Sequence, residues 1–333
     1  MISMRRSIIL AVGEILISSI GWAGTLTMGD VFVAVGNGQV KEFTPTGTLV
    51  QTLNDGTGST FTTGMAFDGS GNLYVTNFSS TTVSKFNADG TLASSAFLTG
   101  YTTPESILVD AAGEFFVGGN GTATIAKYAA TGGAPIQTFA VAGGNGTGHT
   151  DWIDLAADQH TMLYDGEGTA IHSYNLTTQT ENALFATAPN ASVFAFRIIP
   201  GGTDAGDVLA ADSTHAILLS STGALLQTYA LPGNGGEDFA LNLDPNGTDF
   251  WTSDAATGNI WEVNIATGAI DHQFLSGSPG TTFGLAVNGE ITASGPPTGG
   301  ATPEPGTVSL IIFGLAGFGL FARKHRLGRE LSR

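Results

Sequence analysis

A short segment of this chain recurs at nearly regular intervals, and this repeat limits the fold more than any other feature. Its clearest copy is GMAFDGSGNLYVT, from Gly64 to Thr76. In nearly every copy an aliphatic residue then precedes an aromatic or aliphatic one by three positions, as at Val83 and Phe86, and a turn residue such as Gly90 comes next. The first apolar run of successive copies ends at Asp68, Asp110, Asp158, Pro200, Asp244 and Asn288, which are 42, 48, 42, 44 and 44 residues apart.

Each repeat unit has the pattern of four short strands. In the second unit these lie near 65–68, 73–77, 81–87 and 91–98, with Gly, Asn and Asp between them, as tight hairpins require. A period of about 40 to 45 residues with four strands per unit is typical of a β-propeller blade. Six units therefore predict an all-β fold, a six-bladed β-propeller over residues 24–292.

The strand count also predicts how the ring closes. The first outer strands begin near residue 30 with no innermost strand before them, and the last innermost strand, 283–287, has no outer strands after it. If these two parts pair, the chain's N- and C-terminal strands share one blade. Such closure hides sheet edges that would otherwise template aggregation.

The charge of the chain restricts its partners. The net charge of the whole chain is −17. The region 24–302 contains only four of the 11 basic residues but 25 of the 28 acidic residues, all except Glu14, Glu304 and Glu330, so its net charge is −21. Such a surface repels phosphate backbones, so nucleic acid is not an expected partner. There are no cysteines, which excludes disulfides and thiolate chemistry.

The N-terminus has the pattern of a secretory signal. Arg5 and Arg6 precede an apolar stretch from Ile8 to Ile20, which the charged Glu14 interrupts, and Gly21-Trp22-Ala23 supplies small residues for cleavage after Ala23. We predict a signal peptide over 1–23 and export of the rest. The alternative is an N-terminal membrane helix, although the apolar run is shorter than the stretch of about 20 residues that a transmembrane helix needs.

The C-terminus has three parts in a fixed order. A Gly/Pro/Thr-rich linker, 293–302, leads to the box Pro303-Glu304-Pro305, an apolar segment follows over 308–322, and the basic residues come last, at Arg323, Lys324 and Arg326. This tail, 303–333, resembles the PEP-CTERM sorting signal, which is also catalogued as the ice-binding protein C-terminal domain. The part after the basic residues, 327–333, is longer than usual for that family.

The resemblance implies a processing route. Such tails are recognised by an exosortase, a membrane transpeptidase, in Gram-negative bacteria that make exopolysaccharide. The 15-residue apolar segment predicts a helix of about 22 Å, marginal against a hydrocarbon core of about 30 Å. We therefore expect a transient membrane-anchored form, with an ordinary anchoring helix as the alternative, and a final location at the cell surface or in the extracellular matrix.

The repeat unit resembles the NHL repeat and the streptogramin-lyase-like and gluconolactonase-like six-bladed propellers. The resemblance covers about 260 residues and is carried by the pattern of strands and turns. It implies the fold, since one fold hosts many activities.

Candidate ligand-binding residues lie in the loops that enter the innermost strands, at the expected channel mouth. In the repeat alignment Asp151 and Glu237 occupy equivalent positions, and converging carboxylates could bind Ca²⁺. Trp152 is the tryptophan expected to be exposed, whereas Trp251 and Trp261 lie within strand patterns and are expected in the core. The full candidate set is Glu105, His149, Asp151, Trp152, Glu237 and Asp238.

These features favour a binding protein over an enzyme. We assign no catalytic residue, no metal ligand and no cofactor, with calcium as the one ion to consider. The expected function is that of a non-catalytic binding or structural module for exopolysaccharide or for a surface protein. The alternative is a lactonase or lyase that uses channel-mouth carboxylates and a divalent cation.

Overall fold

The computed structural model describes residues 24–143 and 148–293, and these form 25 strands in six sheets. The prediction of an all-β, six-bladed propeller is confirmed. The predicted signal peptide (1–23), the apolar helix (308–322) and the linker beyond Ala293 lie outside the described residues. In the described part, no helix is long and apolar enough to cross a membrane.

The strands follow one another in chain order with short connections. They are β1 (Val31–Ala34), β2 (Gln39–Phe43), β3 (Leu49–Asn54), β4 (Thr62–Phe67), β5 (Leu73–Asn77), β6 (Thr82–Phe86), β7 (Leu92–Leu98), β8 (Pro104–Val109), β9 (Phe115–Gly119), β10 (Thr124–Tyr128), β11 (Gln137–Ala140), β12 (Ile153–Leu155), β13 (Thr161–Tyr164), β14 (Ala170–Asn175), β15 (Thr180–Glu181), β16 (Ala186–Thr187), β17 (Ala195–Ile198), β18 (Val208–Ala211), β19 (Ala216–Leu219), β20 (Leu225–Tyr229), β21 (Asp238–Leu243), β22 (Asp249–Asp254), β23 (Asn259–Asn264), β24 (Ile270–Leu275) and β25 (Gly284–Val287). A 3₁₀ turn, Phe78–Ser80, follows β5.

Five blades are antiparallel sheets of four strands, and the blade of β12 to β16 has five. In that blade both β15 and β16 pair with β14, so that the outermost strand is split in two. The innermost strands are β4, β8, β12, β17, β21 and β25, and each contacts the next around a closed ring. The ends of these strands therefore define the two ends of a central channel.

The ring closes as the strand count predicts. Strand β25 pairs antiparallel with β1, from Val31 opposite Val287 to Ala34 opposite Gly284. The first blade thus has the order β25-β1-β2-β3, with strands from both ends of the described chain. Because Val287 ends β25 and Val31 begins β1, both ends of the described chain leave the ring at the same end of the channel.

Two glycines allow neighbouring innermost strands to approach closely. A Cβ atom on Gly284 would lie 1.8 Å from the carbonyl oxygen of Thr63, and one on Gly64 would lie 2.4 Å from that of Glu105. Neither distance is compatible with a side chain, so both positions require glycine.

The aspartates that mark the repeat shape turns. The carboxylate of Asp68 accepts hydrogen bonds from the backbone N–H groups of Ser70 and Asn72, at 2.8 and 3.0 Å. Asp110 accepts from Ala112 and Glu114 in the same way. Each aspartate thereby holds the hairpin that leads out of an innermost strand, and we call this side of the channel its hairpin end.

The core lies between adjacent blades. The innermost strands and their neighbours, such as β1 and β5, are buried along nearly their whole length. The outer strands, such as β3, are half exposed. Trp251 and Trp261 are fully buried, which confirms the prediction that they pack in the core.

We expect the shared blade to be a sensitive point for stability. Leu285 of β25 is fully buried, so Leu285→Ala should lower the free energy of unfolding by about 2 to 5 kcal/mol, measured by chemical denaturation. The matched control is Leu275→Ala on the exposed outer strand β24, with an expected change within about 0.5 kcal/mol. Equal losses in both variants would contradict the closed ring.

Candidate functional site at the channel mouth

One residue of each blade occupies the same place at the start of the innermost strand. It lies four positions before the last residue of that strand, as Glu105 does before Val109 and Phe239 before Leu243. We call this set the mouth ring. Its members, in order around the channel, are Thr63, Glu105, Asp151, Phe194, Phe239 and Phe283.

β-bulges set the mouth ring apart from the regular ladder. The register between β8 and β9 shifts between Pro104 and Ser106, which leaves Glu105 as the extra residue. The register between β21 and β22 shifts in the same way around Phe239. Bulges of this kind re-aim a side chain and are common beside functional sites.

Two adjacent members of the mouth ring are carboxylic acids, which we call the acidic pair. Glu105 is 5% exposed and Asp151 is 1% exposed. Among the described residues, neither oxygen of Asp151 and not Oε2 of Glu105 has a hydrogen-bond donor. Burial of a charged group without a hydrogen-bond partner is unfavourable, so these carboxyl oxygens lack the partners that their burial requires.

The acidic pair holds protons more tightly than ordinary carboxyls. Burial raises the pKa of Glu105 well above its usual range, and the nearby Asp151 raises it further. Burial also raises the pKa of Asp151.

Three further ionisable groups surround the acidic pair. The imidazole Nδ1 of His149 lies 3.5 Å from Asp151 Oδ2. Burial, followed by the charge of Asp151, raises the pKa of Asp165 well above its usual range and that of Glu167 to about 7. This side of the mouth therefore concentrates four carboxyls around one histidine.

The described residues of the mouth do not form a ready metal site. Within residues 24–143 and 148–293, no three of the His, Asp and Glu side chains are grouped so that they could hold a metal ion. The sequence-based consideration of calcium thus gains no support from these residues.

The other half of the mouth ring is aromatic. The rings of Phe194 and Phe239 stack with centroids 4.9 Å apart, and Phe283 meets Phe239 edge-on at 5.2 Å. Phe61, which is 39% exposed, extends the series by an edge contact with Phe283 at 5.2 Å. All four side chains are at least partly exposed, and we call them the phenylalanine arc.

The sequence-based prediction missed this arc and placed Glu237 wrongly. Counted from the strand ends, the counterpart of Asp151 is Phe239, so the predicted equivalence of Asp151 and Glu237 is wrong. The predicted position lies two residues before the observed one, and the bulge at Phe239 accounts for one of these two residues. Phenylalanine at this same position in three successive blades is the signal that could have revealed the arc.

Glu237 and Asp238 lie apart from the acidic pair. Glu237 is exposed, and its backbone N–H donates to Asp254 Oδ2 at 3.0 Å. Asp238 is buried and accepts a hydrogen bond from Thr252 Oγ1 at 2.6 Å. The structure therefore brings together Glu105, His149 and Asp151 of the predicted set but not these two residues.

Trp152 is a core residue, and the expectation that it is exposed is wrong. Its side chain is 2% exposed, and its indole N–H donates to the carbonyl oxygen of Phe196 at 2.8 Å. The guanidinium carbon of Arg197 lies 5.1 Å from the ring centroid. Both contacts come from the next blade, so Trp152 joins two blades instead of offering a stacking surface.

The hairpin end of the channel has a different chemistry. Arg197 Nε donates to Glu290 Oε1 at 2.9 Å, and Asn242 Nδ2 donates to Glu290 Oε2 at 2.7 Å. A cavity of about 310 Å³ lies beside this buried ion pair, with Asp154 and Ala293 in its wall. Because Glu290 follows β25, the chain crosses this end of the channel on its way to the C-terminal tail.

Comparison with solved structures agrees with this architecture. The chain is similar to a chain in the crystal structure of a nidogen/laminin complex, with 15% identity, a TM-score of 0.60 and coverage of 77% of this chain and 97% of that one. It is similar to the WD40 β-propeller domain of Doa1 (14% identity, TM-score 0.55, 76% and 86% covered). It is also similar to virginiamycin B lyase from Staphylococcus aureus (13%, 0.50, 67% and 73%).

At such low identity these similarities show the fold alone, and together with the six sheets of this chain they define the class of protein as a six-bladed β-propeller. Residues 301–326 match the PEP-CTERM protein-sorting motif, which confirms the resemblance drawn from the tail. The chain is therefore a β-propeller that carries a PEP-CTERM sorting motif. No curated protein matches it.

The buried carboxyls predict a falling stability with rising pH. Burial raises the pKa of these groups in the folded chain, to about 6 for Asp154 and about 7 for Glu167, whereas unfolded carboxyls titrate near pH 4. The folded state then binds more protons than the unfolded state, so the free energy of unfolding should decrease between about pH 4 and pH 7. The groups concerned include Asp30, Glu105, Asp154, Asp165, Glu167 and Asp238.

Urea denaturation across this pH range checks the prediction. Glu105→Gln mimics the protonated acid and should flatten the slope, whereas Asp271→Asn, at an exposed position, should leave it unchanged. Stability that rises from pH 5 to pH 8 would contradict the burial argument.

The ion pair at the hairpin end predicts a separate stability effect. Glu290→Gln removes the carboxylate that Arg197 binds directly and leaves only Asp154 as a nearby counter-charge, so it should cost about 3 kcal/mol of unfolding free energy. Glu237→Gln is the exposed control. A loss no larger than that of the control would show that Arg197 is solvated in solution.

Proposed function

We propose that this protein is a non-catalytic binding module of the cell surface or extracellular matrix, and that exopolysaccharide is its partner. The sorting motif at 301–326 indicates an exported protein, handled by an exosortase-type enzyme at the membrane of a Gram-negative bacterium. That motif, attached to a closed propeller, is the observation that carries the proposal.

The position of the chain ends supports this function. At the hairpin end, the backbone N–H of Leu26 donates to the carbonyl oxygen of Ala88 at 2.8 Å. The carbonyl oxygen of Ala293 lies 3.5 Å from Gln159 Nε2 at the same end. A tail that leaves here and enters the membrane would turn the hairpin end toward the bilayer and leave the mouth ring facing outward.

The chemistry of the mouth also supports binding. Carboxyls and partly exposed aromatic rings are groups that recognise a ligand through hydrogen bonds and stacking. A metal-dependent lactonase or lyase would need ligands grouped around an ion, and the described residues offer no such group. The enzyme alternative therefore gains no support.

The sorting part of the proposal can be tested with the full chain in an exosortase-bearing host. Replacing Pro303, Glu304 and Pro305 together by Ala should abolish processing and leave an uncleaved, membrane-associated chain. Thr307→Ala, just outside the box, is the control and should be processed normally. Fractionation and mass measurement give the readout, and normal processing of the triple variant would overturn this part of the proposal.

The binding part needs a separate experiment. The exported protein should co-sediment with native exopolysaccharide from the same host, and enzymatic removal of the polysaccharide should release it. Release by protease treatment of the matrix alone, with the polysaccharide intact, would instead indicate a protein partner.

A further inference from the structure

We propose that the mouth ring binds a protonated amino sugar within a polysaccharide. In this arrangement the acidic pair takes the ammonium group, and the phenylalanine arc takes the apolar face of the sugar ring. The inference rests on the proposed function, because it names the chemical class of the ligand at the same site.

Among the described residues, no lysine or arginine pairs with the acidic pair. The region 24–302 contains four basic residues, and each has contacts elsewhere. Lys41 bonds Ser278, Lys85 lies over the ring of Phe97, and Lys127 and Arg197 pair with glutamates. In the described part of the chain, His149 is the one group near the acidic pair that can carry positive charge. Buried carboxylates are normally paired, so the missing partner points to a cationic ligand.

The phenylalanine arc narrows the kind of cation. Half of the mouth ring consists of phenylalanine side chains, which have no oxygen atoms to coordinate Ca²⁺ or Mg²⁺. Aromatic faces do attract ammonium groups, and they pack against apolar surfaces. A ligand that satisfies both halves carries a positive charge on a compact body with an apolar face, which describes a hexosamine with a free amine.

The width of the arc favours a sugar over a lysine side chain. Phe194, Phe239 and Phe283 come from three successive blades with ring centroids about 5 Å apart. This surface is broader than the alkyl part of one lysine side chain. Phe61, at its exposed margin, would allow neighbouring sugar residues of the polysaccharide to extend into solvent.

Binding should also depend on pH. The titratable groups that face the site are Tyr101, Glu105, His149, Asp151, Asp165 and Glu167. At acidic pH the carboxyls, whose pKa values are raised by burial, are protonated, and this opposes an ammonium ligand. Affinity should therefore increase above about pH 5 for as long as the sugar amine stays protonated, with release of protons on binding.

The test uses the purified full chain and isothermal titration calorimetry at pH 7. The probes are a glucosamine hexamer with free amines, its fully N-acetylated counterpart and hexalysine. We expect the free-amine sugar to bind, and both other probes to bind at least about tenfold more weakly. Calorimetry in buffers of different ionisation enthalpy should reveal proton release with the free-amine sugar.

Variants locate the site. Glu105→Gln and Asp151→Asn should each raise the Kd for the free-amine hexamer by about tenfold or more, since each removes a charged partner. Phe239→Leu keeps an apolar side chain without the aromatic face and should raise the Kd severalfold. Glu237→Gln, an exposed acid of the same mouth, is the matched control, and circular dichroism and thermal melting verify that each variant folds.

The outcomes separate this inference from the proposed function. Equal binding of the N-acetylated hexamer, tighter binding of hexalysine or unchanged binding by the acidic-pair variants would overturn the amino-sugar site. If the exported protein sediments with exopolysaccharide but ignores the free-amine hexamer, the proposed function stands and this inference fails. If it binds neither, both fail.

Discussion

The pairing of β25 with β1 is the constraint on which the rest of the structure depends. A ladder from Val31–Val287 to Ala34–Gly284 joins the two ends of the described chain in one sheet. Without it, the ring of innermost strands would be open and two blades would expose sheet edges. The same pairing brings both ends of the described chain, before Val31 and after Val287, to the hairpin end.

Much of the fold could be predicted because each blade repeats local rules. Asp68 and Asp110 show the reason: an aspartate at the end of an innermost strand accepts the turn's backbone N–H groups, and a repeated residue type therefore implies a repeated hairpin. The split outer strand of the fourth blade could not be predicted, since Thr180–Glu181 and Ala186–Thr187 are too short to leave a periodic pattern.

The site was only half predictable, for a physical reason. Glu105, His149 and Asp151 could be found because acids in the loops entering innermost strands stand out in a sequence. Aromatic residues at the same structural position resemble core residues, and the repeat alignment placed the counterpart of Asp151 at Glu237, two residues before Phe239. Trp152 shows the reverse error: its place before a strand suggested exposure, whereas the indole is held between blades by the carbonyl of Phe196 and by Arg197.

The two ends of the channel treat buried charge in opposite ways. At the hairpin end, Glu290 receives hydrogen bonds from Arg197, from Asn242 and from the backbone N–H of Leu243, so its charge is fully compensated. At the mouth, Glu105 and Asp151 have comparable burial and no such donors. In the described part of the chain the one arginine, Arg197, is buried at the hairpin end, whereas His149 is the only basic side chain near the acids of the mouth. The hairpin end therefore stabilises the fold. At the mouth, the cost of burying the carboxylates is offset only when a cationic ligand binds beside them.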